Sequence, residues 1–168
     1  MTTKDLRRKE GISLRRSLGV MASRILENHF SREVVLPLLL IVVREADAEL
    51  VSLLATEIIE QEPELIEIER VLEDDLPTLS LAKRNIILVT SVVVDGVQEK
   101  VRMEKIREIA PGSTIELVAI VEFEHLDLPL EVNSVRALPN PPKGFRVEIS
   151  FGEDGIMEIT HEEGKDDE

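Results

Sequence analysis

Two polar segments in this chain follow apolar runs, and both carry residues that could bind an anion. Arg44 lies just beyond the first run, and the segment Thr90–Gln98 follows the run Ile86–Val89. Arg44 is the best single candidate for an anion contact. The alternative is an ion pair with Glu45 or Asp47, which the local density of charge favours.

The segment Asn85–Val121 has the pattern strand, loop, helix, strand. After the loop, Met103, Ile106 and Ala110 recur at helical spacing, Pro111-Gly112 ends the helix, and Ile115–Val121 is a second apolar run. This is a βαβ unit with two parallel strands buried on both faces. Because ligands bind at the carboxyl ends of such strands, we expect a site in the loop Thr90–Gln98.

Other catalytic motifs are absent. His29, His125 and His161 are scattered without metal-ligand spacing, and the acidic run 73–75 is typical of a solvated loop. Ser91 is not part of a nucleophile elbow, and neither a Walker loop nor a dinucleotide fingerprint occurs. We therefore predict no metal site and no hydrolase triad.

Composition limits the class of protein. The 168 residues contain 43% hydrophobic residues, no Cys and only four aromatic residues, all Phe. Disulfides and thiolate chemistry are excluded, and base-stacking platforms are poorly supplied. We expect one domain over residues 1–160, followed by a disordered acidic tail, His161–Glu168. The longest apolar run, Val34–Val43, is interrupted by Pro37 and too short to span a bilayer, so we expect a cytoplasmic protein without membrane contact.

Charge is unevenly distributed. The net charge is −14, yet the first 25 residues contain seven Lys/Arg and two acids, and residues 153–168 contain eight acids and one Lys. This large negative net charge disfavours nonspecific nucleic-acid binding. A solvated helix face explains the basic N-terminus best, and a nucleotide- or RNA-responsive regulator that uses this helix is a further hypothesis.

The remaining elements follow from periodicity and from turn residues. Met1–Gly11 is predicted to be frayed and Glu122–Lys143 irregular. The predicted elements are a helix over Ser13–Phe30 capped by Ser13, a buried strand within Val34–Val43 that starts properly after Pro37, a helix over Ala46–Gln61 capped by Asp47, a strand over Glu64–Arg70, and a C-terminal hairpin of Phe145–Phe151 and Ile156–Thr160. The fold class is α/β, with a mostly parallel sheet flanked by helices and a C-terminal β-hairpin. Within that sheet, Leu38–Val43, Ile86–Val89 and Ile115–Val121 should be parallel neighbours.

Roughly the span Arg8–Phe123 resembles a type I phosphoribosyltransferase, in particular the uracil phosphoribosyltransferase branch. Leu14–Gly19 resembles the opening helix of that family, Ile41–Asp47 its pyrophosphate loop, and Leu88–Gly96 its phosphoribosyl diphosphate loop. The resemblance implies a fold of helices around a parallel sheet and a homodimer. It also places ligand-binding positions at Arg44, Thr90, Ser91, Asp95, Gly96 and Gln98.

The sequence departs from the family at those positions. Thr90 and Ser91 stand where the family has acidic ribose contacts, and Asp95 stands within the phosphate nest, of which Gly96 survives. We therefore expect a phosphoribosyltransferase-like protein that has lost catalysis and serves as a binding, regulatory or scaffold module, without a cofactor, as a homodimer or with a protein partner. The alternative is a divergent phosphoribosyltransferase that transfers phosphoribosyl to a uracil-like nucleobase with the help of Mg²⁺.

Overall fold

A parallel sheet forms the centre of the structure. The computed structural model describes residues 7–33, 35–63, 68–72, 83–124, 131–139, 144–150 and 155–162. Its elements in chain order are β1 (Arg7–Ser13), α1 (Leu14–Phe30), β2 (Leu38–Val42), α2 (Ala48–Gln61), β3 (Ile68–Leu72), β4 (Asn85–Val93), α3 (Val97–Ile109), β5 (Thr114–Phe123), β6 (Asn133–Leu138), β7 (Phe145–Ser150) and β8 (Ile156–Glu162). A short 3₁₀ turn, Glu45–Asp47, precedes α2.

The large sheet has five strands in the order β3-β2-β4-β5-β6, and all its pairs are parallel. Leu38 pairs with Asn85, and Ile86 pairs with Ile115. The prediction of three parallel neighbours is therefore confirmed. The strands β2 and β4 are buried along their whole length, as continuous apolar runs in a covered sheet require.

The order of the strands reverses between β2 and β4. The chain leaves β2 toward β3 in one direction and leaves β4 toward β5 in the other. Right-handed crossovers in opposite directions place their helices on opposite faces of the sheet. Accordingly Leu38 and Leu40 of β2 pack in one core with α1 and α2, and Leu39 and Ile41 pack in another with α3.

Strand β6 was not predicted. Asn133–Leu138 lies inside the segment predicted to be irregular, yet it pairs in parallel with β5 from Val118 to Phe123. Its partner lies on one side only, and within it only Leu138 is buried. An edge strand needs little apolar surface, so its sequence carries a weak signal.

The predicted hairpin of β7 and β8 is confirmed as an antiparallel pair, although its turn, 151–154, lies outside the described residues. Val147 and Ile149 pack against the core on the α1 face. The ring centroids of Phe145 and Phe123 are 6.4 Å apart. The alternation of side chains therefore turns one face of this hairpin toward the large sheet.

The prediction of a frayed N-terminus was wrong from Arg7 onward, and residues 1–6 lie outside the described part of the chain. Strand β1 pairs with β8 along its whole length, from Arg7 opposite Glu162 to Ser13 opposite Ile156. Lys9 Nζ and Glu158 Oε2 form an ion pair at 3.0 Å. The same pairing extends β8 to Glu162, so the predicted tail begins in a strand, and residues 163–168 lie outside the described part.

The start of α1 ties the two sheets together. Ser13 is the N-cap, as predicted, and its Oγ accepts a hydrogen bond from Arg16 N at 3.3 Å. Leu14 N donates to Gly155 O at 2.9 Å. A Cβ at residue 155 would lie 3.1 Å from Ser150 O and 3.2 Å from Leu14 Cδ2, so this close approach favours glycine.

Strand β3, Ile68–Leu72, overlaps the predicted strand Glu64–Arg70, and residues 64–67 of that prediction lie outside the described part of the chain. No helix within the described ranges is both long enough and apolar enough to cross a membrane.

A buried polar chain lies at the amino end of β4 and β5. Thr114 Oγ1 donates to Asn85 Oδ1 at 2.9 Å, and Asn85 Nδ2 lies 3.0 Å from His29 Nδ1. This arrangement makes Nδ1 an acceptor, so the neutral His29 ring carries its proton on Nε2. His29 is fully buried, and its Nε2 has no hydrogen-bond partner. Burial lowers the pKa of His29 below its ordinary value of 6.5, and the nearby charge of Arg32 lowers it further.

We predict that His29 makes the fold sensitive to acid. Its pKa is lower in the folded than in the unfolded chain, so the unfolded chain binds the proton more readily. Its contribution to stability is therefore complete above the unfolded pKa of 6.5 and is lost as the pH falls through the folded pKa. The midpoint of thermal unfolding should fall more steeply between pH 7.5 and pH 5.5 in the wild type than in His29→Gln, which cannot be protonated. Parallel curves for the two proteins would contradict this.

Candidate functional site

The candidate site lies at the carboxyl ends of β2 and β4, where the strand order reverses. Ligands of open α/β sheets bind at this point because the two crossovers leave a crevice between them. Arg44 and the 3₁₀ turn Glu45–Asp47 follow β2, and Val94–Gly96 follows β4. Sequence reasoning therefore located both segments, but it did not show that they meet.

Arg44 contacts β4 directly. Its Nη2 donates to Thr90 Oγ1 at 2.7 Å and to the main-chain oxygen of Val92 at 3.1 Å. Its Nε lies 3.5 Å from Asp47 Oδ2, and the side chain is 39% exposed. The ion-pair interpretation of Arg44 is the one that the geometry supports. The guanidinium is held against the sheet by three groups of the same chain.

Asp47 is the residue whose role the sequence did not reveal. It occupies the N-cap position of α2, as predicted, but its side chain makes no capping hydrogen bond. Instead Oδ2 accepts from Thr90 Oγ1 and from Ser91 N, each at 3.3 Å. A 3₁₀ turn starts the helix here and directs the carboxylate inward, where it is 3% exposed. The Arg-x-x-Asp spacing, which places both side chains on one face of a helical turn, was the available signal.

Asp47 can accept these hydrogen bonds because β2 is shorter than β4. Strand β2 ends at Val42, opposite Val89, while β4 continues to Val93. Ser91 lies beyond the end of β2, so its N–H has no partner in that strand. A buried N–H without an acceptor is costly. The carboxylate of Asp47 takes the place of the missing strand. Thr90 and Ser91, predicted to lie in a loop, are thus buried in β4.

The loop after β4 is short, and its first acid caps the next helix. Asp95 Oδ1 accepts a hydrogen bond from Val97 N at 3.0 Å, and Asp95 is exposed. Gly96 is the N-cap of α3 with φ of 73° and ψ of 2°, a left-handed conformation that favours glycine. The N-terminus of α3, which has the geometry of an anion site, therefore already holds a carboxylate.

The structure joins only part of the predicted set. Arg44 and Thr90 are bonded directly, and Ser91 reaches them through Asp47. Asp95 and Gly96 lie at the start of α3 and share no hydrogen bond or ion pair with Arg44 within the described residues. Gln98 is exposed on α3, and its side chain forms no hydrogen bond with any described residue.

The described ranges contain no group of three His, Asp or Glu side chains arranged to hold a metal ion. The polar groups at the carboxyl end of the sheet are mutually satisfied instead. Thr90 Oγ1 both accepts from Arg44 and donates to Asp47, and it is fully buried. A hydroxyl that is enclosed and bonded in this way is not available as a nucleophile.

Comparison with known proteins supports the fold and nothing finer. No family model matches this sequence, and no curated protein sequence matches it. Solved structures of similar architecture include phosphoribosyltransferases.

Hypoxanthine phosphoribosyltransferase from Trypanosoma cruzi, in complex with the product IMP, superimposes with a TM-score of 0.64 at 15% identity, over 83% of this chain and 80% of that chain. The HGPRT-ase from Leishmania tarentolae in complex with GMP gives a TM-score of 0.63 at 16% identity, over 92% of this chain and 98% of that chain. A further T. cruzi hypoxanthine enzyme structure, at 1.4 Å, gives 0.63 at 14% identity over 89% and 93%.

The chain therefore has an α/β phosphoribosyltransferase-like fold, with a parallel sheet flanked by helices and a separate antiparallel sheet that contains its C-terminal strands. The fold that the resemblance implied is supported. The narrower resemblance to the uracil branch is not shown, since these similar structures are hypoxanthine and hypoxanthine-guanine enzymes.

We predict that Asp47 stabilises the fold through this cluster. In Asp47→Ala the Ser91 N–H and the Thr90 hydroxyl lose their acceptor, and a buried unsatisfied polar group costs about 1–3 kcal/mol. Urea denaturation should show a loss of that size. The control is Glu45→Ala in the same turn, where the side chain is exposed and a change within about 0.5 kcal/mol is expected. Equal losses in the two variants would show that the cluster is unimportant.

Proposed function

We propose that this phosphoribosyltransferase-like protein has lost catalysis and acts as a binding, regulatory or scaffold module. The observation that carries the proposal is the closed network at the carboxyl ends of β2 and β4. Arg44, Asp47 and Thr90 are bonded to one another, and two of the three are buried. Arg44, the cation that directly follows β2, therefore has its partners within the chain.

Phosphate binding here would break existing contacts. To reach a phosphate, Arg44 would give up its bonds to Thr90 and Val92, and hydrogen bonds to a charged group contribute about 1.5–3 kcal/mol each. Its departure would also leave the buried carboxylate of Asp47 without its counter-ion. The guanidinium is thus already committed to the fold.

The start of α3 opposes a phosphate as well. A phosphate at a helix N-terminus needs free N–H groups, and the Val97 N–H is bonded to Asp95. Like charges at this point repel, and Val97 adds a branched side chain where a phosphate nest has small residues. These features favour a module that keeps the architecture of the superfamily without its chemistry.

The competing function is a divergent phosphoribosyltransferase that acts on a nucleobase, such as a uracil-like base, with phosphoribosyl diphosphate. Gly96 favours it, because its left-handed backbone preserves the sharp turn into α3 at the strand-order reversal. Under this alternative Mg²⁺ would bridge Asp95 or Asp47 to the diphosphate and reverse the sign of the repulsion. The proposed inactive module needs no cofactor.

We predict that the purified protein, with Mg²⁺ and phosphoribosyl diphosphate, forms neither nucleotide nor pyrophosphate from uracil, hypoxanthine, guanine or adenine. Transfer depends on electrostatic stabilisation of a leaving pyrophosphate, and the groups that would supply it are engaged or replaced. Chromatography of the nucleotides together with a pyrophosphate assay measures the outcome.

Two variants distinguish turnover by this protein from turnover by a copurified enzyme. Turnover that disappears in both Asp95→Ala and Arg44→Ala would establish the divergent enzyme and reject the proposal. Turnover that persists in both variants would come from a copurified enzyme, and the prediction would stand. If phosphoribosyl diphosphate binds with micromolar affinity without turnover, the catalytic part holds and the argument from repulsion is wrong.

The proposal includes assembly as a homodimer and a location in the cytoplasm, with a protein as the other class of partner. Val97 and Val101, one turn apart on α3, are 56% and 53% exposed, which adds apolar surface beyond that of a typical solvated helix. Nucleic acid is a poor partner because of the net charge of −14. Moreover, part of the basic N-terminus, Arg7–Lys9, lies in strand β1 and not in the helix expected to bind RNA.

We predict self-association with two-fold symmetry, the commonest arrangement of identical subunits. Sedimentation velocity at tens of micromolar, about the range in which weak dimers persist, should give twice the mass of the 168-residue chain. A monomer at that concentration would remove the dimer from the proposal. The result does not depend on the activity assay, so the two parts can fail separately.

A further inference from the structure

A polar cavity lies away from the candidate site, at the amino end of β5. It has a volume of about 750 Å³ and is lined by the end of α1, one side of α3, the first part of β5 and the residues before β6. It exists because β6 begins late. Asn133 pairs with Val118, and no described strand pairs with Thr114–Leu117 on that side.

Three cationic side chains line this cavity, and none of them has a partner among the described residues. Arg32 follows α1, and Lys100 and Arg107 lie two turns apart on α3, about 10 Å along the helix axis. Within the described residues none of the three side chains forms a hydrogen bond or an ion pair. The Nε of Arg32 is buried and has no acceptor. In a chain with 34 acids and 20 Lys/Arg, cations left unpaired around one cavity call for an external anion.

Two carboxylates also line the cavity, and they differ. Glu116 Oε1 accepts from Asn28 Nδ2 and from Asn133 Nδ2, each at 3.3 Å, so this acid is held at the wall. Glu131 is exposed and has no bonded partner within the described residues. Among the described residues, the cavity therefore offers three cationic side chains without partners and one free carboxylate.

We propose that this cavity binds a small phosphorylated molecule, with its phosphate held by Arg32, Lys100 and Arg107 and its hydroxyl or amino groups donating to Glu131. Guanidinium groups bind phosphate oxygens through paired N–H donors, and an ammonium adds a point charge. The volume falls within the range of small-ligand sites. The cavity shares no residue with the Arg44 cluster, so this site is independent of the function proposed for the carboxyl end of the sheet.

The state of His29 offers a local readout. Burial lowers the pKa of His29, and the charge of Arg32, three residues later in the chain, lowers it further. A phosphate that offsets the Arg32 charge should raise the pKa of His29 and shift its ring resonances. Binding at a distant surface would leave them unchanged.

The experiment is calorimetric titration of the full chain with inorganic phosphate at constant ionic strength, followed by nuclear magnetic resonance of the His29 ring. We expect wild-type binding that weakens about tenfold or more in Lys100→Gln and in Arg107→Gln, as the loss of one charge-assisted bond implies. Arg107→Lys, which keeps the charge, should retain most of the affinity. Lys100 and Arg107 are exposed, so these variants should fold normally, and circular dichroism checks this.

The matched control is Lys105→Gln, which removes the same charge from the same helix at an exposed position outside the cavity. It should leave both phosphate affinity and the His29 shift unchanged. The absence of wild-type binding, or equal weakening in Lys105→Gln and Lys100→Gln, would overturn the proposal. So would tighter binding of succinate than of phosphate, because the cavity would then be a carboxylate site.

Discussion

The carboxylate of Asp47 is the interaction on which the carboxyl end of the sheet depends. Strand β4 extends beyond β2, and this difference in length leaves an amide and a hydroxyl of β4 buried without a strand partner. Asp47 accepts from both and also pairs with Arg44, which in turn bonds back to β4. One side chain thus takes the place of a missing strand and forms an ion pair with Arg44. The same carboxylate therefore both supports the sheet and pairs with Arg44.

The two ends of the sheet differ in how their charges are paired. At the carboxyl end, Arg44 is bonded within the chain and Asp95 caps α3, so this end offers little to an anion. At the amino end, the late start of β6 leaves a cavity whose three cations have no partner in the described residues. The phosphate titration and the transfer assay test the two ends separately.

Periodicity predicted the buried elements well and the edge elements poorly. The runs that became β2, β4 and β5 are covered on both faces, so their apolar character is continuous and easily recognised. Strands β1 and β6 each pair on one side only, and their sequences are polar enough to read as frayed or irregular. The same limitation affected the start of the acidic tail, because β8 reaches Glu162 only through its pairing with β1.

The sequence by itself determined the fold class, the parallel order of the central strands, the hairpin and the two segments at which ligand chemistry was expected. These follow from local patterns of apolar and turn residues, which one chain segment carries alone. Only the tertiary structure decided that Thr90 and Ser91 are buried in a strand and that Asp47 bonds across to β4 instead of capping its own helix. It also decided that Arg32 meets Lys100 and Arg107 in one cavity. Each of these depends on the relative lengths of neighbouring strands, and strand length is set by partners distant in the chain.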